Sequence, residues 1–197
     1  MTLTEDRSAS AVARQAMIVS QLRTSGVNEH WVLEAMAGVA REDFVPAGMR
    51  DAAYIDRAIA LENGRQLAAP LFYGRLLAEA APTRDDKVLL VGEADGYLAA
   101  LLRPLVGSLD VVEPAGAKDV TSTGHTLLVV DGAAEELPEA LTASLAEGGR
   151  VVTGLVVRKV ARLATGTKTG GALALLPLAE MGIPVLPELA APKRWSF

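Results

Sequence analysis

The chain reads as an α/β protein with a mostly parallel sheet, and three observations predict it. After residue 80, short and wholly apolar segments alternate with segments of helical spacing. The first apolar segment runs directly into a glycine-containing loop that opens a helix. Ahead of this alternation lies a helical region with no strand-like pattern. Apolar strands alternating with helices are what a parallel sheet covered on both faces requires.

The elements follow in order. From Ala11 to Thr24, Val12, Ala16, Val19 and Leu22 recur at helical spacing, and Gly26 ends the run. Asn28 is placed to cap a second helix carrying Trp31, Val32, Ala35, Met36 and Val39 on one side. Arg41 to Pro70 has little periodicity and several turn residues, including Asn63-Gly64, and reads as a long ordered connection. A third helix is expected from Leu71 to Ala80, stopped by Pro82. Strands are expected at Lys87–Val91, Leu109–Glu113, Thr126–Val130 and Arg150–Thr153, with helices at Gly96–Leu105 and Leu137–Ala146. Val156–Ala164 and Ala172–Leu176 form a terminal antiparallel hairpin across Thr165–Gly171 in this reading.

Composition bounds the function classes. The 197 residues fit one domain, and half of them are hydrophobic, which supplies a sizeable core. Cysteine is absent, which excludes disulfides, thiolate nucleophiles and cysteine metal sites. The two histidines, His30 and His125, are far apart, so no metal site is expected. The net charge of −5 and the lack of a basic cluster argue against a nucleic-acid partner. The apolar stretch Gly171–Ala191 is broken by Pro177, Pro184, Pro187, Glu180 and Glu188, so no membrane partner is expected. The first ten residues carry Glu5 and Asp6 and no apolar run, and a cytoplasmic location is the expectation.

The segment Val88-Leu89-Leu90-Val91-Gly92-Glu93-Ala94-Asp95-Gly96-Tyr97 stands where a nucleotide-type cofactor loop belongs, between a strand and a helix. Glycines there let a ligand approach the backbone. Glu113 ends the next strand about twenty residues later, where an acid commonly accepts hydrogen bonds from a ribose. Gly92 and Gly96 also fit a plain strand-to-helix turn, and Glu113 a solvated strand end.

The N-terminal half adds a more specific pattern: Arg14, Met17, Gln21-Leu22-Arg23, Gly26-Val27, Val32-Leu33-Glu34-Ala35-Met36, Val39, Arg41-Glu42, Phe44-Val45-Pro46 and Ala53-Tyr54-Ile55-Asp56. With Gly64, Pro70, Val88, Gly96-Tyr97 and the stretches Leu127–Asp131 and Leu141–Val152, this resembles the protein-L-isoaspartate O-methyltransferase family. The closing Pro192-Lys193-Arg194-Trp195-Ser196-Phe197 is similar to the tail of some bacterial members. The resemblance implies a Rossmann-like S-adenosylmethionine-dependent methyltransferase fold. It also implies methyl transfer to an isoaspartyl carboxylate in protein repair. On this reading residues 1–80 form the acceptor side and 81–197 the cofactor side of one domain. S-adenosylmethionine would be held by Gly92, Glu93, Gly96, Tyr97 and Glu113. Ala68 and Asp56 would stand at the acceptor.

Departures fall at the same places. The family's Gly-Gln-Thr-Ile-Ser-Gln-Pro is Gly64-Arg65-Gln66-Leu67-Ala68-Ala69-Pro70 here, so Ala68 replaces the hydroxyl-bearing residue. The family's acid before the first glycine is Leu90, and its middle glycine is Ala94, whose methyl group would crowd a ligand. Pro114 to His125 is too short for the helix and strand that normally follow the ribose acid, so one outer strand should be lost. Leu109–Glu113 would then be a sheet edge, which a homodimer would cover. Two functions stay open on the sequence: a carboxyl methyltransferase acting on isoaspartyl peptides or proteins, and a non-catalytic binding or interaction protein on the same fold.

Overall fold

The computed structural model describes residues 3–62 and 64–192. Asn63 of the predicted turn and the tail residues 193–197 lie outside the described residues. Helix α1 (Leu3–Met17) continues through a π turn, Ile18–Leu22, and a 3-10 turn, Arg23–Ser25. Gly26 ends the run at φ +85°, with its N–H on the Arg23 carbonyl at 3.1 Å. Helix α2 is His30–Gly38, two residues later than the expected Asn28 cap, and it buries Val32, Leu33 and Met36.

The long connection carries short elements of its own. These are 3-10 turns at Arg41–Phe44 and Ala47–Ala52, then a two-stranded antiparallel ribbon of β1 (Ile59–Ala60) and β2 (Gln66–Leu67). Helix α3 (Pro70–Ala80) starts on a proline, whose missing N–H costs nothing at a first turn. It ends at Ala81, whose N–H reaches the Leu77 carbonyl at 2.9 Å just before Pro82.

The main sheet comprises β3 (Lys87–Val91), β4 (Ser108–Val112), β5 (His125–Ala134), β6 (Leu145–Val157), β7 (Val160–Thr169) and β8 (Ala172–Glu180). Its order is β4-β3-β5-β6-β7-β8. The first four strands are parallel, and β7 and β8 are antiparallel additions. Among the described residues no strand lies outside β4, which is an edge of the sheet. The expected fold class is thus the observed one.

Alternating side chains split the core. Val88, Leu90, Leu127, Val129 and Val152 face the N-terminal helices and α4 (Tyr97–Leu102). Leu89, Val91, Leu128, Val130 and Val151 face α5 (Glu139–Ser144), Ala117 and the residues that follow β8. Those last residues form a strap across the carboxyl end of β5. The Ala133 N–H donates to the Pro184 carbonyl at 2.8 Å, and the Leu186 N–H donates to the Ala133 carbonyl at 2.9 Å.

Several boundaries differ from expectation for local reasons. Helices α4 and α5 are six residues each, shorter than their apolar spacing suggests. Gly148-Gly149, read as following a helix, instead lies in an irregular stretch within β6: Leu145 pairs with His125, and Arg150 with Leu127. Strand β6 runs on to Val157, and Arg158-Lys159 makes the turn into β7 with φ of +52° and +69°. That left-handed pair is the two-residue hairpin geometry normally written with Asn or Gly. The second turn uses Gly170-Gly171 at +60° and +77°. The terminal hairpin is therefore β7–β8, joined to β6 by a turn without the usual residues.

A polar network ties the amino ends of the strands. The Asp86 carboxylate accepts from the Thr83 N–H at 2.8 Å, the Thr126 hydroxyl at 2.7 Å and Arg150 at 2.9 Å, while Arg150 also donates to the Ala80 carbonyl at 2.5 Å. Burial raises the Asp86 pKa, but the donors from Thr126, Thr83 and Arg150 outweigh it and hold the value below the ordinary 3.8. A depressed carboxylate contributes stability above its unfolded pKa and loses it as pH falls through the folded one. Asp86→Ala should therefore cost about 2 kcal/mol at pH 7. Denaturant titrations should show the difference from the parent closing as pH drops below 4. Gly132→Ala should also destabilise. Gly132 has φ +150°, and an added Cβ would lie 2.7 Å from Leu186 Cγ. A loss of about 1–3 kcal/mol in the same titration is expected as the strap is displaced.

Candidate functional site

The carboxyl ends of β3 and β5 open into a cleft of about 820 Å³. This lies within the ~300–1,000 Å³ typical of small-molecule sites. Because β3 has β4 on one side and β5 on the other, this is the topological switch point of the sheet, where open α/β folds bind ligands. The walls come from the turn at 43–47, ribbon residues 61–62 and 64–67, the loop at 92–97 and the strap at 184–188, with Tyr73 and Asp131 also lining the space.

Of the residues the sequence singled out, Gly92, Glu93, Gly96 and Tyr97 meet here. An added Cβ on Gly92 would lie 3.1 Å from the Asp131 Cβ, and one on Gly96 would lie 3.0 Å from the Glu93 carbonyl oxygen. Both positions are therefore tight, and the loop depends on their small size. Ala94 is exposed and is not among the residues lining the cleft. Leu90 is buried in the core and offers nothing to a ligand. Glu113 is exposed at the end of β4 and stands outside the cleft, although its neighbour Pro114 lines it. Asp56 is exposed and borders a separate hollow of about 490 Å³, which shares Gln66 and Pro184 with the main cleft. Ala68 is buried between the two.

The backbone around Ala68 is held by a side chain whose role was not read from the sequence. Arg41 is fully buried and donates to the Ala53 carbonyl at 2.6 Å and the Ala68 carbonyl at 2.5 Å. Its guanidinium lies 5.5 Å from the Tyr73 ring centre and 5.2 Å from that of Tyr97. Burial pulls the Arg41 pKa below the usual arginine value, against the opposing pull of Tyr73, Tyr97 and Asp131. Tyr97 packs edge-on against Tyr73 at 5.1 Å and Phe44 at 5.5 Å. Its hydroxyl is buried with no hydrogen-bond partner among the described residues, and burial pushes its pKa up.

Asp131 was read only as part of a matching stretch. It follows the apolar run of β5, lies beside Gly92 and lines the cleft, partly buried. Burial pushes its pKa up to about 6, although Tyr73 and Arg41 pull it down. Tyr73 in turn accepts from the Ala68 N–H at 3.2 Å. Arg65 spans the cleft mouth, 3.4 Å from Glu93 on the cofactor-type loop and 3.2 Å from Glu188 on the strap. An acid after a buried strand and an arginine in a glycine-bearing loop are the signals that could have found both.

Comparison with known proteins agrees with this architecture. The profile of the protein-L-isoaspartate(D-aspartate) O-methyltransferase family matches residues 13–120. A protein-L-isoaspartate O-methyltransferase of Koribacter versatilis is 32% identical over 178 residues, covering 77% of this chain and 80% of that protein. One from Aeropyrum pernix is 35% identical over 166 residues, covering 68% and 64%. A solved Plasmodium falciparum structure, assigned to the same activity and holding S-adenosyl-L-homocysteine, superposes with a TM-score of 0.69 at 17% identity, over 89% of this chain and 98% of that one. A second solved protein-L-isoaspartate O-methyltransferase gives 0.69 at 16% identity, over 90% and 67%. With more than half of its residues matched by the family profile and relatives at about one third identity, the chain belongs to the protein-L-isoaspartate O-methyltransferase family.

Proposed function

We propose that the chain binds S-adenosylmethionine in the cleft over β3 and β5 and methylates the side-chain carboxylate of an isoaspartyl residue in a peptide or protein. The observation that carries the reading is the cleft at the switch point, bounded by a glycine-shaped loop on one side and by the Ala68 segment clamped to Arg41 close by. The residues fit that cofactor. The cleft volume is adequate, its lining is acidic, which suits a cation, and Gly92 and Gly96 bring the loop backbone to its wall.

When bound, S-adenosylmethionine supplies a transferable methyl group on a positively charged sulfur. Gly92, Glu93, Gly96 and Tyr97 would hold it, and Glu113, beside Pro114, is the ribose acceptor in this reading. Arg65 is the cation a methionine-type carboxylate would pair with, in exchange for Glu93 or Glu188. A carboxylate acceptor is already nucleophilic at neutral pH and needs no general base, so positioning and water exclusion are what the protein must provide. The Ala68-Ala69-Pro70 backbone would border the acceptor. The hollow beside Asp56, which shares the walls Gln66 and Pro184 with the cleft, would take the rest of the peptide. Residues 1–80 then serve the acceptor and 81–197 the cofactor within one domain.

The same reading extends to setting. No described helix is long and apolar enough to cross a membrane, which is compatible with a cytoplasmic protein. Edge strand β4 has one pairing side unused by the sheet, and a homodimer would cover it. A single monomeric species in sedimentation at high concentration would refute that.

Calorimetric titration with S-adenosylmethionine should give saturable one-site binding. Labelled cofactor should then transfer methyl to an isoaspartyl peptide and not to its normal aspartyl counterpart. Gly96→Val should weaken cofactor binding at least about tenfold, since a side chain there meets the Glu93 carbonyl oxygen. Absence of binding at millimolar ligand would leave the second reading, a non-catalytic binding protein on a methyltransferase fold.

A further inference from the structure

The cleft is strongly unbalanced in charge. Asp43, Glu62, Glu93, Asp95, Asp131 and Glu188 line it, against Arg65 as the only lysine or arginine among its described lining residues. Most of these carboxylates sit at the rim or are shared with Arg65. Asp131 differs because its place is set by packing. Its Cβ lies against Gly92 at the exit of the strand beside β3, and Tyr73, Arg41 and Arg65 face its carboxyl. Tyr73 is completely buried, and its position is fixed by Arg41, Tyr97 and the Ala68 N–H. Tyr97, packed edge-on against Tyr73, also lines the cleft.

We propose that Asp131 is a specificity-determining residue that selects the positively charged sulfonium cofactor over its uncharged thioether product. This rests on the cofactor reading above and deepens it. A fixed carboxylate in an enclosed crevice attracts a cation more strongly than it would in water, because the screening is lower. S-adenosylmethionine and S-adenosylhomocysteine share their nucleoside and amino-acid portions and differ by the methyl group and the charge on sulfur. An enclosed carboxylate at the switch point therefore acts on the difference between them. The groups facing Asp131 are Tyr73 from α3, Arg41 from the turn after α2, Glu93 from the loop after β3 and Arg65 from the ribbon. Of these, Glu93 makes Asp131 easier to protonate, while Tyr73, Arg41 and Arg65 make it harder. A bound sulfonium joins the second group, so cofactor binding at mildly acid pH should expel a proton from Asp131, and product binding should not.

The test is calorimetric titration of the intact chain with each of the two ligands, for the parent and for Asp131→Asn, which keeps the shape and removes the charge. The ratio of the product Kd to the cofactor Kd should fall about tenfold in D131N, the equivalent of one pKa unit of coupling. Product affinity itself should change by less than about twofold. An unchanged ratio overturns the proposal while leaving the cofactor reading intact. Failure of the parent to bind either ligand overturns both. Should D131N not fold, the parent alone decides. At pH 6, in two buffers of different ionisation heat, cofactor binding should release protons and product binding should not. Equal proton release with both ligands overturns the proposal.

Discussion

The site depends on one buried cation. Arg41 is removed from water at a cost of several kcal/mol, and it persists because two carbonyls and two aromatic faces replace the lost solvent. Each replacement comes from a different part of the chain. Ala53 belongs to the connection, Ala68 to the segment before α3, Tyr73 to α3 and Tyr97 to α4. The guanidinium thereby sets the spacing between the acceptor-side backbone and the helix that follows the β3 loop, and the Arg65–Glu93 ion pair joins the same two stretches at the cleft mouth. Arg41 was visible in the sequence only as one residue of a matching motif, because a lone arginine in an aperiodic stretch carries no sign of burial.

A second cluster supports the first from outside. Arg14 on α1 donates to the Tyr54 hydroxyl at 2.7 Å and to Glu42 at 3.1 Å, and Tyr54 donates to the same Glu42 carboxylate. Burial and the Glu42 bond push the Tyr54 pKa up to about 12. Arg14 also reaches the Ala37 carbonyl at 2.8 Å, so α1, α2 and both 3-10 turns are fastened together. Many residues that carried the family resemblance, Arg14, Arg41, Glu42 and Tyr54 among them, thus hold the wall of the cleft in place. They explain why the N-terminal pattern was more specific than the glycine loop.

What was legible follows from the range of the interactions involved. Strands β3 and β5 were readable because unbroken apolar runs have few alternatives to a buried parallel strand, and α3 because proline begins it and another follows it. The lost outer strand was a matter of chain length between Glu113 and His125. The β6–β7 turn was not readable, because Arg158-Lys159 adopts a left-handed geometry that the pairing of its flanking strands enforces and local composition does not suggest. Within the cleft, glycines announce themselves by type. Asp131 and Arg65 acquire their settings from segments far away in sequence, Glu113 stands exposed just past β4, and Asp56 borders the neighbouring hollow.

The Asp86 network lies at the amino ends of the strands and the cleft at their carboxyl ends, about five residues or roughly 16 Å away along β3. Groups so separated contribute to stability almost independently. Natural variation can thus rewrite the cleft without drawing on the interactions that keep the sheet assembled. A lineage built this way can lose a hydroxyl at position 68 and a loop glycine at position 94, one neutral step at a time. Each intermediate remains a folded protein on which selection for a new ligand can act.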